Sequence, residues 1–236
     1  MGRKWNNIKY AKAAKDANRS KVYAKFGKEI YMAAKPDPNP ETNRTLRGVI
    51  DKAKTYDVTR EIIDRAIKKA KSGVDESYDS IRYEGYGPSG SAIIVDTLTD
   101  NVNRTVAEVR SAFNKAKGNL GVNGSVAFMF TASSIIGIEQ RDEEELLELF
   151  IDKEIDVHDI ESEDNQTMIY GAPEDYANIQ DALNEIGIEE FKVAEITMLP
   201  NDTITLDGEE LEVFEKLIDA LEDIDDVQDV HHNVEM

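Results

Sequence analysis

The chain contains no cysteine, which removes several classes of chemistry at once. Disulfides, thiol nucleophiles, cysteine-ligated zinc and iron–sulfur clusters are excluded, and a reducing compartment is the natural location. Long apolar runs are also missing. No stretch approaches the roughly 18 apolar residues of a membrane-spanning helix, and the N-terminal residues lack the apolar core of a signal peptide. We therefore expect a cytoplasmic protein that has no membrane partner.

Motifs for catalysis and cofactor binding are equally scarce. The sequence has no Walker A motif, no G-x-S-x-G and no H-E-x-x-H, and its only histidines are His158, His231 and His232. The last two are adjacent, so on a strand they point to opposite faces and are poorly placed to share one metal. The sequence predicts a non-enzymatic protein without metal or cofactor.

One glycine-rich segment, Gly85–Gly90 (GYGPSG), matches G-x-G-x-x-G literally. A dinucleotide-binding loop of this type needs a strand before it and a helix after it, so that the pyrophosphate meets a helix N-terminus. Here predicted helices precede the motif and a predicted strand follows it. We interpret the segment as a tight turn.

Charge is abundant but unevenly distributed. The chain of 236 residues has a net charge of −20, yet residues 1–75 hold 19 of the 28 Lys and Arg and only 9 of the 48 Asp and Glu. The first third is therefore +10 and the remainder −30. This asymmetry indicates a basic module for a polyanionic partner on an acidic body.

The basic side chains of the N-terminal segment form two stripes. Val22, Phe26 and Ile30 recur at helical spacing, which predicts a helix. Basic residues at similar spacing lie on faces offset from the apolar one, where they can follow a phosphate backbone. The first stripe consists of Lys12, Lys15 and Arg19, and the second of Lys21, Lys25 and Lys28. The predicted nucleic-acid-binding residues are Lys4, Lys9, Lys12, Lys15, Arg19, Lys21, Lys25 and Lys28.

Two alternatives for the basic stripes remain open. They are either a solvated helical surface without a partner, or a surface that packs against the acidic body of the same chain. Two acidic runs, Asp142–Glu145 and Glu222–Asp226, are of a kind that usually forms solvated helix ends. Carboxylates are favourable at a helix N-terminus, which accounts for the first run, and unfavourable at a C-terminus, which favours an interaction role for the second.

The order of predicted elements indicates an α+β protein. Three or four helices are expected over the first 75 residues, with a break at Pro36–Pro40. Strands are predicted at Ser91–Thr99 and Ser125–Phe130, with a helix between them. From residue 134 the pattern reads β-α-β-β-α-β, which is typical of a ferredoxin-like domain, and a helix and a short strand follow.

We therefore predict a helical N-terminal domain followed by two ferredoxin-like α+β domains, the middle one discontinuous. The predicted boundaries are 1–78 for the basic helical domain, 79–133 plus 206–236 for the discontinuous domain, and 134–205 for the inserted domain.

Several separated segments resemble the YebC family. They are GRKWNNIK at 2–9, IRYEGYGPSG at 81–90, NRTVAEVR at 103–110 and GSVAFMF at 124–130. The resemblance covers nearly the whole chain and implies a helical domain plus two α+β domains. It also implies a regulator of gene expression: a transcriptional regulator, or a translation factor like the mitochondrial activator of cytochrome c oxidase subunit I. Many members begin Gly-His-Ser-Lys-Trp, whereas this chain has Gly2-Arg3-Lys4-Trp5.

The leading hypothesis is a cytoplasmic DNA-binding transcriptional regulator that docks through its basic helices. The alternatives are a factor that binds ribosomal RNA, and an adaptor whose acidic domains bind basic protein surfaces. Phosphate contacts carry no sequence identity, so the residues alone leave DNA and RNA open.

Overall fold

Seven α-helices and eight strands occur in the part of the chain that the computed structural model describes, residues 19–73 and 76–235. The helices are α1 (Arg19–Ala34), α2 (Arg44–Thr55), α3 (Arg60–Lys71), α4 (Val102–Lys115), α5 (Glu143–Asp152), α6 (Tyr176–Glu185) and α7 (Gly208–Glu222). The strands are β1 (Asp79–Tyr86), β2 (Ala92–Thr99), β3 (Asn119–Leu120), β4 (Phe130–Glu139), β5 (Val157–Glu163), β6 (Gln166–Gly171), β7 (Val193–Pro200) and β8 (Val227–His232).

The N-terminal helices follow the predicted pattern of apolar spacing and breaks. Helix α1 ends at Ala34, immediately before the proline-rich segment that disfavours helical geometry. Helix α2 starts after Asn43, whose side-chain oxygen accepts a hydrogen bond from the backbone N–H of Leu46 at 3.0 Å. This N-cap satisfies one of the free donors at the helix start.

The first sheet has the strand order β3-β1-β2-β8, and all its pairings are antiparallel. Strands β1 and β2 form a hairpin, and β8, from the end of the described chain, pairs with β2 along its other edge. Helices α4 and α7 bury their apolar sides in the core of this unit. That core includes Ile93, Val95, Val109, Phe113, Phe214 and Leu217.

The second sheet has the order β5-β6-β4-β7, the strand order of a ferredoxin-like β-α-β-β-α-β unit. Strands β5 and β6 form a hairpin whose turn residues Asp164 and Asn165 have φ of 51° and 62°. Two positive φ values suit a tight hairpin turn, and Asp and Asn tolerate them. The core contains Ile136, Ile138, Phe150, Ile169, Ile179 and Leu183.

The predicted fold class is therefore confirmed: N-terminal helices precede two α+β units, and the C-terminal strand completes the first sheet. Tertiary contacts divide the described chain into two compact units. One holds residues 30–72 and 132–198, and the other holds residues 19–29, 76–131 and 199–235. The predicted domain boundaries at 78/79, 133/134 and 205/206 stay predictions.

Two local predictions were wrong, and both concern the first sheet. The segment before Gly85–Gly90 is strand β1 rather than helix. The motif itself covers the end of β1 and the hairpin connection, with a 3₁₀ turn at Pro88–Gly90 followed by β2. The expected strand Ser125–Phe130 is mostly a loop with a 3₁₀ turn at Ala127–Met129.

The loop before β4 is held by a buried carboxylate. Glu84 of β1 accepts hydrogen bonds from the backbone N–H groups of Gly124, Val126 and Ala127, each at 2.8 Å. Because a side chain takes these donors, they are not available to a strand ladder. Burial would raise the pKa of Glu84, but the three backbone donors outweigh that effect and lower it.

Candidate functional site

The second basic stripe lies against the C-terminal end of helix α7. Lys21 Nζ is 2.5 Å from the carboxylate oxygen Oδ1 of Asp223, and Lys25 Nζ donates to the backbone carbonyl of Glu222 at 3.1 Å. Lys28 Nζ donates to the backbone carbonyl of Asp225 at 3.1 Å and to Oδ1 of Asp226 at 3.0 Å. All three predicted binding residues of this stripe are therefore engaged within the molecule.

These contacts have a clear electrostatic cause. The last carbonyls of a helix have no partner within the helix and carry the negative end of its dipole. In α7 this end is also followed by the acidic residues of the run Glu222–Asp226, which adds like charge. Ammonium groups that donate to these carbonyls and carboxylates relieve both effects, and they come from three positions on one face of α1.

Asp226 is the centre of the cluster and is almost fully buried, with 3% of its surface exposed. Besides Lys28, it accepts hydrogen bonds from Arg104 at 2.5 Å, Thr105 at 2.8 Å and Thr99 at 3.0 Å. Burial would raise the pKa of Asp226, but hydrogen bonds, those from Arg104 and Lys28 foremost, lower it to about 2. The carboxylate is therefore ionised at neutral pH.

The partners of Asp226 come from the junction between β2 and α4. Asn101 caps α4 by accepting a hydrogen bond from the backbone N–H of Arg104 at 3.1 Å. Arg104 also binds Asp100 at 2.8 Å. A cluster of alternating charges thus joins α1, α4 and α7 within one compact unit. Each ammonium and guanidinium group of this cluster lies close to a carboxylate or carbonyl oxygen, so the cluster links the three helices.

The remaining predicted binding residues have a different status. Lys4, Lys9, Lys12 and Lys15 lie outside the described residues. Arg19 is the first residue of α1, and it is exposed. Nucleic-acid contact through any of the eight residues stays a prediction. The contacts of Lys21, Lys25 and Lys28 agree with the alternative in which the basic helix packs against the acidic body of the same chain.

Sequence reasoning found the lysines of this cluster but missed the partners of Asp226. Arg104 and Thr105 are part of the quoted motif NRTVAEVR, yet neither stood out as part of a site. The one usable signal was the unfavourable position of the acidic run at the C-terminus of α7. That position pointed to an interaction without naming the partner.

His231 and His232 lie on β8 of the first sheet, and His158 lies on β5 of the second. His231 Nε2 is 3.3 Å from Asp96, whose carboxylate also binds Arg82 at 2.7 Å, and His232 packs edge-on against Phe214 with 5.0 Å between ring centroids. Burial, the main cause, lowers the pKa of His232 to about 4. Within residues 19–73 and 76–235, no three His, Asp or Glu side chains form a group that could hold a metal.

None of the helices in the described ranges is both long enough and apolar enough to span a bilayer.

Taken with the fold, two family models define the class of protein. The model described as the TACO1/YebC protein N-terminal domain matches residues 3–73, and the one described as the TACO1/YebC second and third domain, named for transcriptional regulators, matches residues 78–234. The chain belongs to the TACO1/YebC family, which is a family of regulators and not of enzymes.

A solved structure has a similar sequence and fold. The chain is similar to the conserved hypothetical protein Aq1575 from Aquifex aeolicus, with 38% sequence identity and a TM-score of 0.78. The match covers 94% of this chain and 92% of that one, so the likeness extends over both compact units.

Proposed function

We propose that this protein is a non-enzymatic regulator of gene expression that binds nucleic acid through its basic N-terminal segment, with duplex DNA as the first candidate target. The carrying observation is the charge division: residues 3–19 contain six basic side chains and only one acidic one, Asp16. Nucleic-acid affinity comes largely from lysine and arginine contacts to phosphates. The regulator-type family supports the same class of function.

The two stripes have different parts in this proposal. Lys4, Lys9, Lys12, Lys15 and Arg19 provide the phosphate contacts. Lys21, Lys25 and Lys28 anchor α1 to the acidic end of α7, because their ammonium groups already donate to it. The anchor holds the start of α1 on the folded body, and the carboxylates of that body keep phosphates away from the rest of the protein.

Ribosomal RNA is the second candidate target, and the TACO1 part of the family name favours it. The family that the sequence resembles includes a mitochondrial activator of translation, and a translation factor contacts RNA on the ribosome. Since phosphates are common to DNA and RNA, the basic segment serves either target.

Crosslinking in cells, followed by sequencing of both the bound DNA and the bound RNA, tests the proposal. Enrichment of promoter DNA supports the transcriptional form, and reads dominated by ribosomal RNA support the translational form. The variant Lys12→Glu/Lys15→Glu/Arg19→Glu is the control, because it should lose the enriched reads. Recovery of neither nucleic acid would overturn the proposal in favour of a protein adaptor.

A further inference from the structure

Helix α5 has an apolar face that the core does not use. Leu146 and Phe150 point into the core of the second sheet and are buried. Leu147 and Ile151, each one residue further along, are 46% and 64% exposed. They are four residues apart and therefore neighbours on one face of the helix. A surface helix normally presents polar residues there.

The exposed pair lies on a helix that is rich in carboxylates. Residues 142–154 contain seven acidic side chains and a single basic one, Lys153. The ammonium group of Lys153 is 2.5 Å from a carboxylate oxygen of Glu185 at the end of α6. The negative charge around Leu147 and Ile151 is thus largely uncompensated by this lysine.

A third exposed aliphatic residue is adjacent in sequence to the acidic partner of this ion pair. Ile186 directly follows Glu185 and is 50% exposed. The Lys153–Glu185 contact brings the C-terminal end of α5 next to that of α6 within one compact unit. We call Leu147, Ile151 and Ile186, with the carboxylates of residues 142–154, the α5 surface.

The composition of the α5 surface selects its occupant. Aliphatic side chains at i and i+4 match the apolar stripe of an amphipathic segment, and a carboxylate rim attracts Lys and Arg on its flanks. Phosphates are repelled by the same rim. A second copy of this chain, at net −20, is disfavoured by like charge.

We propose that the α5 surface is a docking site for a basic amphipathic segment of a partner protein. This inference goes beyond nucleic-acid binding and does not depend on it. The N-terminal segment and the α5 surface would let one molecule bind a nucleic acid and a basic protein together.

A synthetic peptide of about 18 residues, made of leucine and lysine with leucine at helical i, i+3 and i+4 positions, serves as the probe. Its control is a peptide of the same composition in scrambled order. Binding to the full chain is measured by fluorescence anisotropy at an ionic strength of about 0.15 M. We expect the amphipathic peptide to bind at least about tenfold more tightly than the scrambled peptide.

Two variants locate the binding. Leu147→Ser/Ile151→Ser should weaken peptide binding at least about tenfold. It should lower the thermal midpoint by no more than about 4 °C, because both side chains are partly exposed and serine is a modestly poorer helix former. Glu144→Lys/Glu148→Lys should weaken it through charge alone. The matched control is Val122→Ser/Phe128→Ser, because these two apolar side chains are 78% and 71% exposed outside the α5 surface.

Three results would overturn the proposal. The first is equal binding of the two peptides, and the second is unchanged binding by Leu147→Ser/Ile151→Ser. The third is a concentration-dependent dimer in analytical ultracentrifugation that this variant disperses, because the occupant would then be a second copy of the chain. Loss of nucleic-acid binding in the N-terminal variants would leave the peptide result unaffected, so the two proposals fail separately.

Discussion

The two acidic runs of this chain have similar compositions and opposite surroundings. Asp142–Glu145 opens helix α5, where Asp142 accepts hydrogen bonds from the backbone N–H groups of Glu144 and Glu145 at 3.0 and 3.1 Å. Glu222–Asp226 closes helix α7, where Lys21, Lys25, Lys28 and Arg104 surround it. The first run satisfies its own helix, whereas the second depends on cations from distant parts of the sequence.

The position of a carboxylate on a helix therefore decides which partners the rest of the fold must supply. At the N-terminus the dipole and the free N–H groups stabilise negative charge without further partners. At the C-terminus both effects reverse, and basic residues have to be recruited. In this chain the recruited residues belong to the basic segment, so part of its charge is used inside the molecule.

The largest expected effect comes from the same substitution in each run. Asp226→Asn leaves Lys28 and Arg104 facing a neutral amide in a buried cluster, and we expect a loss of about 3 kcal/mol of unfolding free energy. Asp142→Asn retains a good N-cap and should change it by less than about 0.5 kcal/mol. Urea unfolding of both variants measures the contrast, and equal losses would remove the distinction between the runs.

Removing the cations gives the next effect. Lys21→Met/Lys28→Met keeps the aliphatic stems but deletes two ammonium groups at the end of α7, which should cost about 1–2 kcal/mol. The control Lys68→Met/Lys71→Met removes two exposed lysines from the last turn of α3 and should cost about 0.5 kcal/mol or less. If the two double variants unfold at the same urea concentration, the lysines of α1 do not stabilise the end of α7.

Acid titration sharpens the role of Asp226. Its folded-state pKa of about 2 lies below the unfolded value of about 3.9. The stability that it contributes is therefore fully present above about pH 4 and lost as the pH falls through about 2. We expect the stability difference between the wild type and Asp226→Asn to narrow over this interval in urea unfolding. A difference that stays constant from pH 5 to pH 2 would show that ionisation of Asp226 is not its source.

The smallest effect concerns the cap of α5. Asp142→Ala removes the acceptor for two backbone N–H groups and should cost about 1 kcal/mol, whereas Asp142→Asn should largely preserve stability. Thermal unfolding of the pair measures the difference. Identical thermal midpoints for Asp142→Ala and Asp142→Asn would show that the hydrogen bonds to the side chain of residue 142 do not stabilise the helix.

Local patterns in the sequence were sufficient to predict most of the fold. The helices α1 to α3 and the β-α-β-β-α-β order of the second sheet follow from apolar periodicity and breaker residues, which are properties of short segments. Strand β1 was missed although Ile81 and Tyr83 alternate with polar residues, because this alternation is short and runs directly into the glycine motif. The loop at Gly124–Ala127 was missed because a carboxylate about 40 residues earlier takes its backbone donors.

The candidate site was harder to predict from the sequence, because its contacts also join residues that are far apart in the chain. The spacing of Lys21, Lys25 and Lys28 identifies a basic face, but Lys21 and Asp223 are 202 positions apart in the chain. Such a pairing is decided by the packing of α1 and α7 and not by either segment. The acidic run Glu222–Asp226 indicated one side of this contact, because carboxylates at a helix C-terminus are unfavourable without a basic partner.

The salt dependence of nucleic-acid binding distinguishes the two stripes, because we propose that the first binds phosphates while the second anchors α1. Log K against log salt is measured for two matched variants with the same labelled duplex DNA and a single-stranded RNA. We expect Lys12→Met/Lys15→Met/Arg19→Met to reduce the magnitude of the slope by about 3 with duplex DNA, and by about 2 with single-stranded RNA. Lys21→Met/Lys25→Met/Lys28→Met should change it by less than about 1 while reducing stability. An equal or larger loss of slope in the second variant would contradict this proposal.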